Sequence, residues 1–275
     1  MSSDLLFGRS MRLTMGTRQI SMNADANAAT SNPTATTLRA QFRATRNLKS
    51  EPNTASVKVW NLSRDTRAIL ESQKLVPVLL EVGHGGRTFS IFNCQMRSAQ
   101  TERDGSALIT SLATGDGEAA VGGGRAFAQV PAKASPAQIL QFAAQGLLAA
   151  GVGKGNLDSA AGLASATFGG PARTLHGNAA RVFTDVATMN GFEWSVQDGN
   201  LQILKIGASS QQEAGAVRLS EASGMIGSPS VDTKGVLKVK ALLQPGLMPG
   251  LPVVVDGEFI KGAYRIEEVE FTGDT

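Results

Sequence analysis

The sequence is poor in the residues on which many chemistries depend. Its 275 residues include one cysteine and two histidines. Cys94 on its own excludes an intramolecular disulfide and offers no thiolate set for a metal, which suits folding in a reducing cytoplasm. Zinc requires three or four ligands at recognisable spacing, and His84 and His176, each beside a glycine in an expected loop, supply no such cluster. Aromatic residues are only 5% of the chain while glycines number 31, a balance suited to sheets with many turns rather than to a large single-cored enzyme. No run of about eighteen apolar residues occurs, and the N-terminus has no basic region followed by an apolar core, so neither a membrane span nor a secretory leader is expected. The net charge is +3 without a dense Lys/Arg cluster, which argues against a stable nucleic-acid footprint. Nucleophile-elbow, Walker, His-Glu-x-x-His and dinucleotide-binding patterns are all missing. These absences count against an enzyme, and no cofactor is expected.

What is present is a series of strand patterns. At 42% hydrophobic content, the chain can form two or three small domains. Residues 12–15 and 18–22 read as a hairpin, and residues 23–33 as a polar loop. Leu38, Ala40, Phe42 and Ala44 alternate with Arg39, Gln41, Arg43 and Thr45, giving a half-buried strand with a basic outer face. That face is either solvated or meets a neighbouring subunit or another protein of the assembly. A strand over 56–62 precedes a short helix from Arg64 to about Ser72, with Ser63 as its N-cap. Val76–Val82 and Arg87–Phe92 form a hairpin about the glycine-rich turn 83–86. A phosphate cradle there would require a following helix, and a strand follows instead. Residues 94–101 and 106–114 form a further hairpin about Asp104-Gly105. This inventory over 1–117 suits a barrel or sandwich.

The composition changes near Gly115, and Gly122–Gly124 marks a flexible link. A helix begins at Ser135-Pro136 and ends at Gly151. Residues 151–173 show no defensible period. A second helix covers about 179–189, and residues 192–205 form a hairpin about Asp198-Gly199, completing an α+β insert. The final fifty residues read as a small antiparallel meander: a strand over Val236–Leu243, turns at Pro245-Gly246 and Pro249-Gly250, then strands over 252–256 and 263–271. Such a meander is too small to bury its own core. Glu268 and Glu270 share a strand face, with Glu267 opposite. Paired glycosidase carboxylates would also need a sugar cleft, so a solvated edge is the plainer account. Trp60, Trp194, Tyr264 and Phe271 are scattered through the chain, as core aromatics are, rather than grouped as a sugar platform.

Two stretches carry a family resemblance. Gly224-Met-Ile-Gly-Ser-Pro229, followed by a strand, Leu242-Leu-Gln-Pro-Gly-Leu-Met-Pro-Gly250 and a strand ending in Thr272-Gly-Asp274, resembles the C-terminal part of phage baseplate hub proteins. Glu51-Pro-Asn-Thr-Ala-Ser-Val-Lys-Val-Trp-Asn-Leu-Ser63 is similar to a segment of the same family. The sequence departs from the family pattern at Val82-Gly-His-Gly85 and at Phe92-Asn-Cys-Gln95, which bears on local loop conformation. The resemblance implies a mainly β protein with two tube-like antiparallel β-barrel domains separated by an α+β domain. The expected divisions are 1–117, 118–213 and 214–275, with the last completing a second barrel or closing the first. It implies a non-enzymatic structural hub, trimeric, joining the tail tube or distal tail protein to the central spike around a channel for DNA or the tape-measure protein. The location implied is the baseplate of a virion tail made in the bacterial cytoplasm, without stable membrane association. A contractile injection system would use the same architecture. No lysozyme or peptidase extension is expected. Arg39, Arg43, Val253 and Val255 are the expected assembly-interface residues, the valines through extension of an exposed sheet edge. A carbohydrate- or receptor-binding tail module is the alternative, and an unrecognised hydrolase a further rival.

Overall fold

The computed structural model describes residues 9–16, 18–23, 35–36, 38–84, 87–165, 171–210, 216–244 and 246–275. The expected loop over 23–33 lies almost wholly outside these residues, as do the central glycines of the 83–86 turn. The first region contains β1 (Arg9–Met15), β2 (Arg18–Asn23), β3 (Ala35–Thr36), β4 (Ala40–Asn47), β5 (Thr54–Trp60), α1 (Arg64–Ser72), β6 (Pro77–His84), β7 (Arg87–Asp104) and β8 (Ala107–Gly115). Alternating side chains bury one face of β4 and β5. In β4, Ala40, Phe42, Ala44 and Arg46 point inward while Arg43 is exposed. Residues 87–101, expected as two strands, form one. β7 is 18 residues long, and register shifts opposite Leu80/Glu81 and at Met96/Ser98 let it bend without breaking. The helix α1 starts where Ser63 Oγ accepts the Thr66 N–H at 3.3 Å, and it buries Leu70.

The insert comprises α2 (Glu118–Gly123), β9 (Arg125–Val130), α3 (Pro136–Ala149), α4 (Leu157–Gly162), β10 (Arg173–Asn178), α5 (Ala179–Met189), β11 (Phe192–Gln197) and β12 (Asn200–Lys205). The Ser135–Gln138 capping box opens α3. Gly146 lets this helix approach closely: a Cβ there would lie 2.7 Å from Arg125 O and 2.8 Å from the Ala179 Cβ. The sequence did not suggest the β9–β10 ribbon or α4. The insert core gathers Leu140, Leu147, Phe183, Phe192 and Trp194, with Phe183 and Trp194 edge to face at 5.2 Å.

The last region holds β13 (Val217–Ser220), β14 (Ser230–Val231), β15 (Leu237–Lys238), β16 (Pro252–Asp256), β17 (Lys261–Arg265) and β18 (Glu268–Asp274). It is not a simple antiparallel meander, because β13 pairs in parallel with β16. The expected strand over Val236–Leu243 shrinks to the two residues of β15. Asp232 Oδ1 accepts the N–H groups of Lys234 and Val236 at 2.9 and 3.0 Å, fixing a tight turn just before it.

β18 leaves this region and pairs antiparallel with β4, from Glu268↔Asn47 to Asp274↔Gln41. The large sheet therefore has the order β18-β4-β5-β8-β7-β6-β1-β2-β3. It is open in hydrogen bonding among the described residues, yet strongly curled: Arg9 at the head of β1 is ion-paired with Asp274 in β18. Leu13, Phe42, Val57, Leu80, Phe92 and Phe271 share the core inside this curl.

Candidate assembly surfaces and the joint between sheet and insert

The outer face of β4, β5 and β18 bears the arginines expected at an interface. Arg39 is exposed and lies over the Trp60 ring, 4.5 Å from its centroid. Arg43 holds Glu270 through Nη2 at 2.6 Å and Nε at 3.0 Å. Around this pair lies a shallow depression lined by Gln41, Ser56, Lys58, Thr272 and Asp274. The face is thus a mosaic of both charge signs.

Val253 and Val255 lie elsewhere, in β16. They are 7% and 1% exposed, and β16 is hydrogen-bonded on both sides, to β13 and β17. Within one subunit their side chains support the small sheet. The exposed apolar residues of this region are Ile226, Val231, Val236, Leu242 and Phe259, at 40–80% exposure. Pro229 packs under Gly257 at the head of the β16–β17 turn that carries Phe259, so this turn and the β14–β15 hairpin sit side by side. The buried cluster of this region gathers Leu219, Val253 and Ile266, with partly buried residues such as Val217, Leu251 and Tyr264 packed against it.

The two histidines stay apart. His84 ends β6, whereas His176 is exposed on β10 opposite Phe127. No group of three or more His, Cys, Asp or Glu among the described residues is arranged to hold a metal ion. Of the four scattered aromatics, Trp194 and Phe271 are buried, while Trp60 and Tyr264 are half-buried. Glu267 pairs with Arg265, which also bonds Glu193 of β11 and so ties the last region to the insert.

A buried polar joint connects the insert to the first sheet. Arg46, 3% exposed, donates from Nη2 to Asp198 Oδ2 at 2.6 Å, from Nε to Gln197 Oε1 at 3.2 Å and from Nη1 to Ile91 O at 3.0 Å. Asn53 accepts the Asn47 N–H through Oδ1 at 2.8 Å and donates to Val196 O at 2.8 Å. Gln197 Nε2 donates back to Asn47 O at 2.8 Å. Asp116, 1% exposed, accepts the Gly199 N–H at 2.8 Å. Burial pushes the Asp116 carboxyl up to about 6, with the Asp198 charge adding to the rise and the Gly199 N–H opposing it. Burial likewise pushes the nearby Cys94 thiol up to about 12, so it stays an uncharged core group. Sequence reasoning missed this joint, although Arg46 stands at the buried parity of β4 and Asn53 belongs to the Pro-Asn segment of the family resemblance.

No helix among the described residues is long and apolar enough to cross a membrane. No protein-family model matches the sequence, and no curated protein matches it. Solved structures do share its fold. The prophage MuSo2 43 kDa tail protein from Shewanella oneidensis superposes with a TM-score of 0.57 at 12% identity, over 96% of this chain and 93% of that one. The tail protein from Neisseria meningitidis MC58 gives 0.56 at 10% identity, over 97% and 92%. A component of the E. coli type VI secretion system, described as structurally similar to the bacteriophage T4 tail proteins gp27 and gp5, gives 0.50 at 12% identity, over 86% and 69%. The fold of this chain is that of phage tail proteins, the likeness that the motifs near residue 50 and after residue 224 carry in the sequence.

Proposed function

We propose that the chain is a structural hub of a phage tail or related injection system, a ring component that joins the tail tube to the central spike. The observation that carries this reading is the match of fold along nearly the whole length of two tail proteins, with neither chain leaving a large part unmatched. The resemblance to baseplate hub proteins adds the finer features. These are a trimer, two tube-like β units on either side of the α+β insert with divisions near 117 and 213, and a lumen for DNA or the tape-measure protein. A non-enzymatic role is supported by the likeness of fold to tail proteins.

Subunit contacts are assigned to two surfaces. One is the face bearing Arg39 and Arg43. The other is the last region, which exposes five large apolar residues above a small core and fits coverage by another subunit. Val253 and Val255 take part from within, by holding the sheet that presents that exterior. The partners are then further copies of this chain, the spike, the tube or distal tail protein and the tape-measure protein, in a virion baseplate.

Mass in solution by light scattering, alone and with the spike protein coexpressed, followed by electron microscopy of the heaviest species, tests the reading. A threefold ring with a central hole is expected. A monomer under both conditions would favour the second reading, a receptor- or carbohydrate-binding tail module, for which Phe89, Phe127 and Phe259 are exposed aromatics among the described residues.

A further inference from the structure

The joint between sheet and insert has an unequal count of charges. Two carboxylates meet at the β11–β12 turn. Asp198 lies in the turn itself, with Oδ2 on Arg46 and Oδ1 accepting the Asn93 N–H at 3.1 Å. Asp116, following β8, reaches the next residue of the turn through the Gly199 N–H. One guanidinium, Arg46 from β4, faces both acids. From β7 the neighbouring group is the Cys94 thiol, which carries no charge at neutral pH. From the segment before β5 it is the uncharged Asn53, whose carbonyl accepts the Asp116 N–H at 2.8 Å. A further cation beside the neighbouring Gly115, Arg97 of β7, is paired at 2.5 Å with Glu118 of α2. The α3 end contributes only Ala150, Gly151 and Val152 to the cleft beside Asp116. Two negative charges therefore share one positive charge, with Asp116 and Arg46 buried and the Asp198 side chain 34% exposed, and an anion as buried as Asp116 is costly when it has no cation of its own.

We propose that this joint is a pH-dependent clamp, in which a proton on Asp116 completes the charge balance and locks the insert onto the first sheet. In mild acid the site holds one neutral carboxyl, one carboxylate and one guanidinium, and the turn at Asp198-Gly199 is held. Near and above neutral pH, Asp116 ionises against Asp198 and the turn is held less tightly. The sign follows from proton linkage. A carboxyl raised from the ordinary 3.8 to about 6 in the folded state binds its proton more tightly there than in the unfolded chain. Its stabilisation is complete below the unfolded value and is lost as the pH rises through the folded one. The clamp does not depend on the hub reading, since it concerns two parts of one chain.

The test uses the full-length protein and its Asp116→Asn variant, which keeps an oxygen to accept the Gly199 N–H but cannot ionise. Hydrogen exchange is followed in the segment 192–205 between pH 5 and pH 8, after correction for the intrinsic pH dependence of exchange. In the wild type, protection of this segment should fall by roughly tenfold or more across that window, as expected for an acid raised by about two pH units. In the variant, protection should stay level and exceed the wild type's at pH 8. Retention of the wild-type slope by the variant would overturn the proposal. Should the variant fail to fold, carbon NMR titration of the Asp116 carboxyl in the wild-type protein decides the matter. A midpoint near 6 is expected, and a midpoint at or below 4 would overturn the clamp.

Discussion

The insert and the last region are both small α/β or β units, but they bury their apolar residues differently. The insert draws twenty-two buried residues from α2, β9, α3, α4, α5, β11, β12 and the loops between them into one cluster. The last region has three buried residues in its cluster and leaves Ile226, Val231, Val236, Leu242 and Phe259 facing outward. At about 25 cal/mol per Å² of apolar area removed from water, the insert has the means to hold itself together, while the last region depends on surfaces beyond its own. The sequence contrast behind this is plain. Helices α3 and α5 present apolar residues at helical spacing toward a common centre, whereas in the stretch 224–243 Lys238 and Lys240 interrupt the apolar residues and only Val239, Ala241 and Leu243 pack, partly buried, against a core.

Substitutions can sharpen or break this contrast. Phe183→Ala, at a fully buried position of the insert, should cost about 3–5 kcal/mol by denaturant unfolding. A loss below about 1 kcal/mol would mean that the insert core is not what holds this part of the chain. Val255→Asp should cost about 3 kcal/mol and act locally, because it places an uncompensated charge at a position 1% exposed in the middle strand of the small sheet. Hydrogen exchange should then show β13, β16 and β17 opening while the insert stays protected, and uniform opening would remove the distinction between the two regions. Arg43→Ala should cost about 0.2–1 kcal/mol, reduced further by salt, since both partners of its ion pair are largely exposed. Val231→Ser combined with Phe259→Ser should leave the isolated chain within about 0.5 kcal/mol of wild type. The same pair should shift the light-scattering mass toward the monomer, and unchanged assembly would detach the apolar exterior from subunit contact.

Much of this fold was legible because its signals are local. Ser63 and Ser135 mark helix starts through their own side chains, and Asp104-Gly105 and Asp198-Gly199 sit at turns where positive φ is required. The rest depended on partners far along the chain. The alternation in β9 looks like a continuation of the glycine link until β10 arrives more than forty residues later to pair with it. Helix α4 is only six residues long, and although its buried Leu157, Ala160 and Ala161 fall at helical spacing, two of the three are alanines and the run is too short to stand out. The run at 236–243 has the alternation of a strand, but no neighbouring ladder lies along most of it. At the candidate surfaces, Arg39 and Arg43 were readable as outward from parity. Val253 and Val255 were read as part of an exposed edge because the parallel pairing of β13 with β16, across an intervening hairpin, leaves no local mark. Arg46 offered the clearest unused signal, an arginine in register with Ala40, Phe42 and Ala44 on the inner face.

The pairing of β18 with β4 also sets an order of events during synthesis. The strands β4 to β8 are made early, but the outer edge of β4 has no partner until residues 268–274 have left the ribosome. For most of translation the nascent chain therefore carries an open strand edge beside Phe42 and Ala44, the kind of edge on which chains aggregate. The sheet begun first is the one finished last. A premature stop anywhere after the insert would release a chain with its independent core formed and its oldest strands still uncapped.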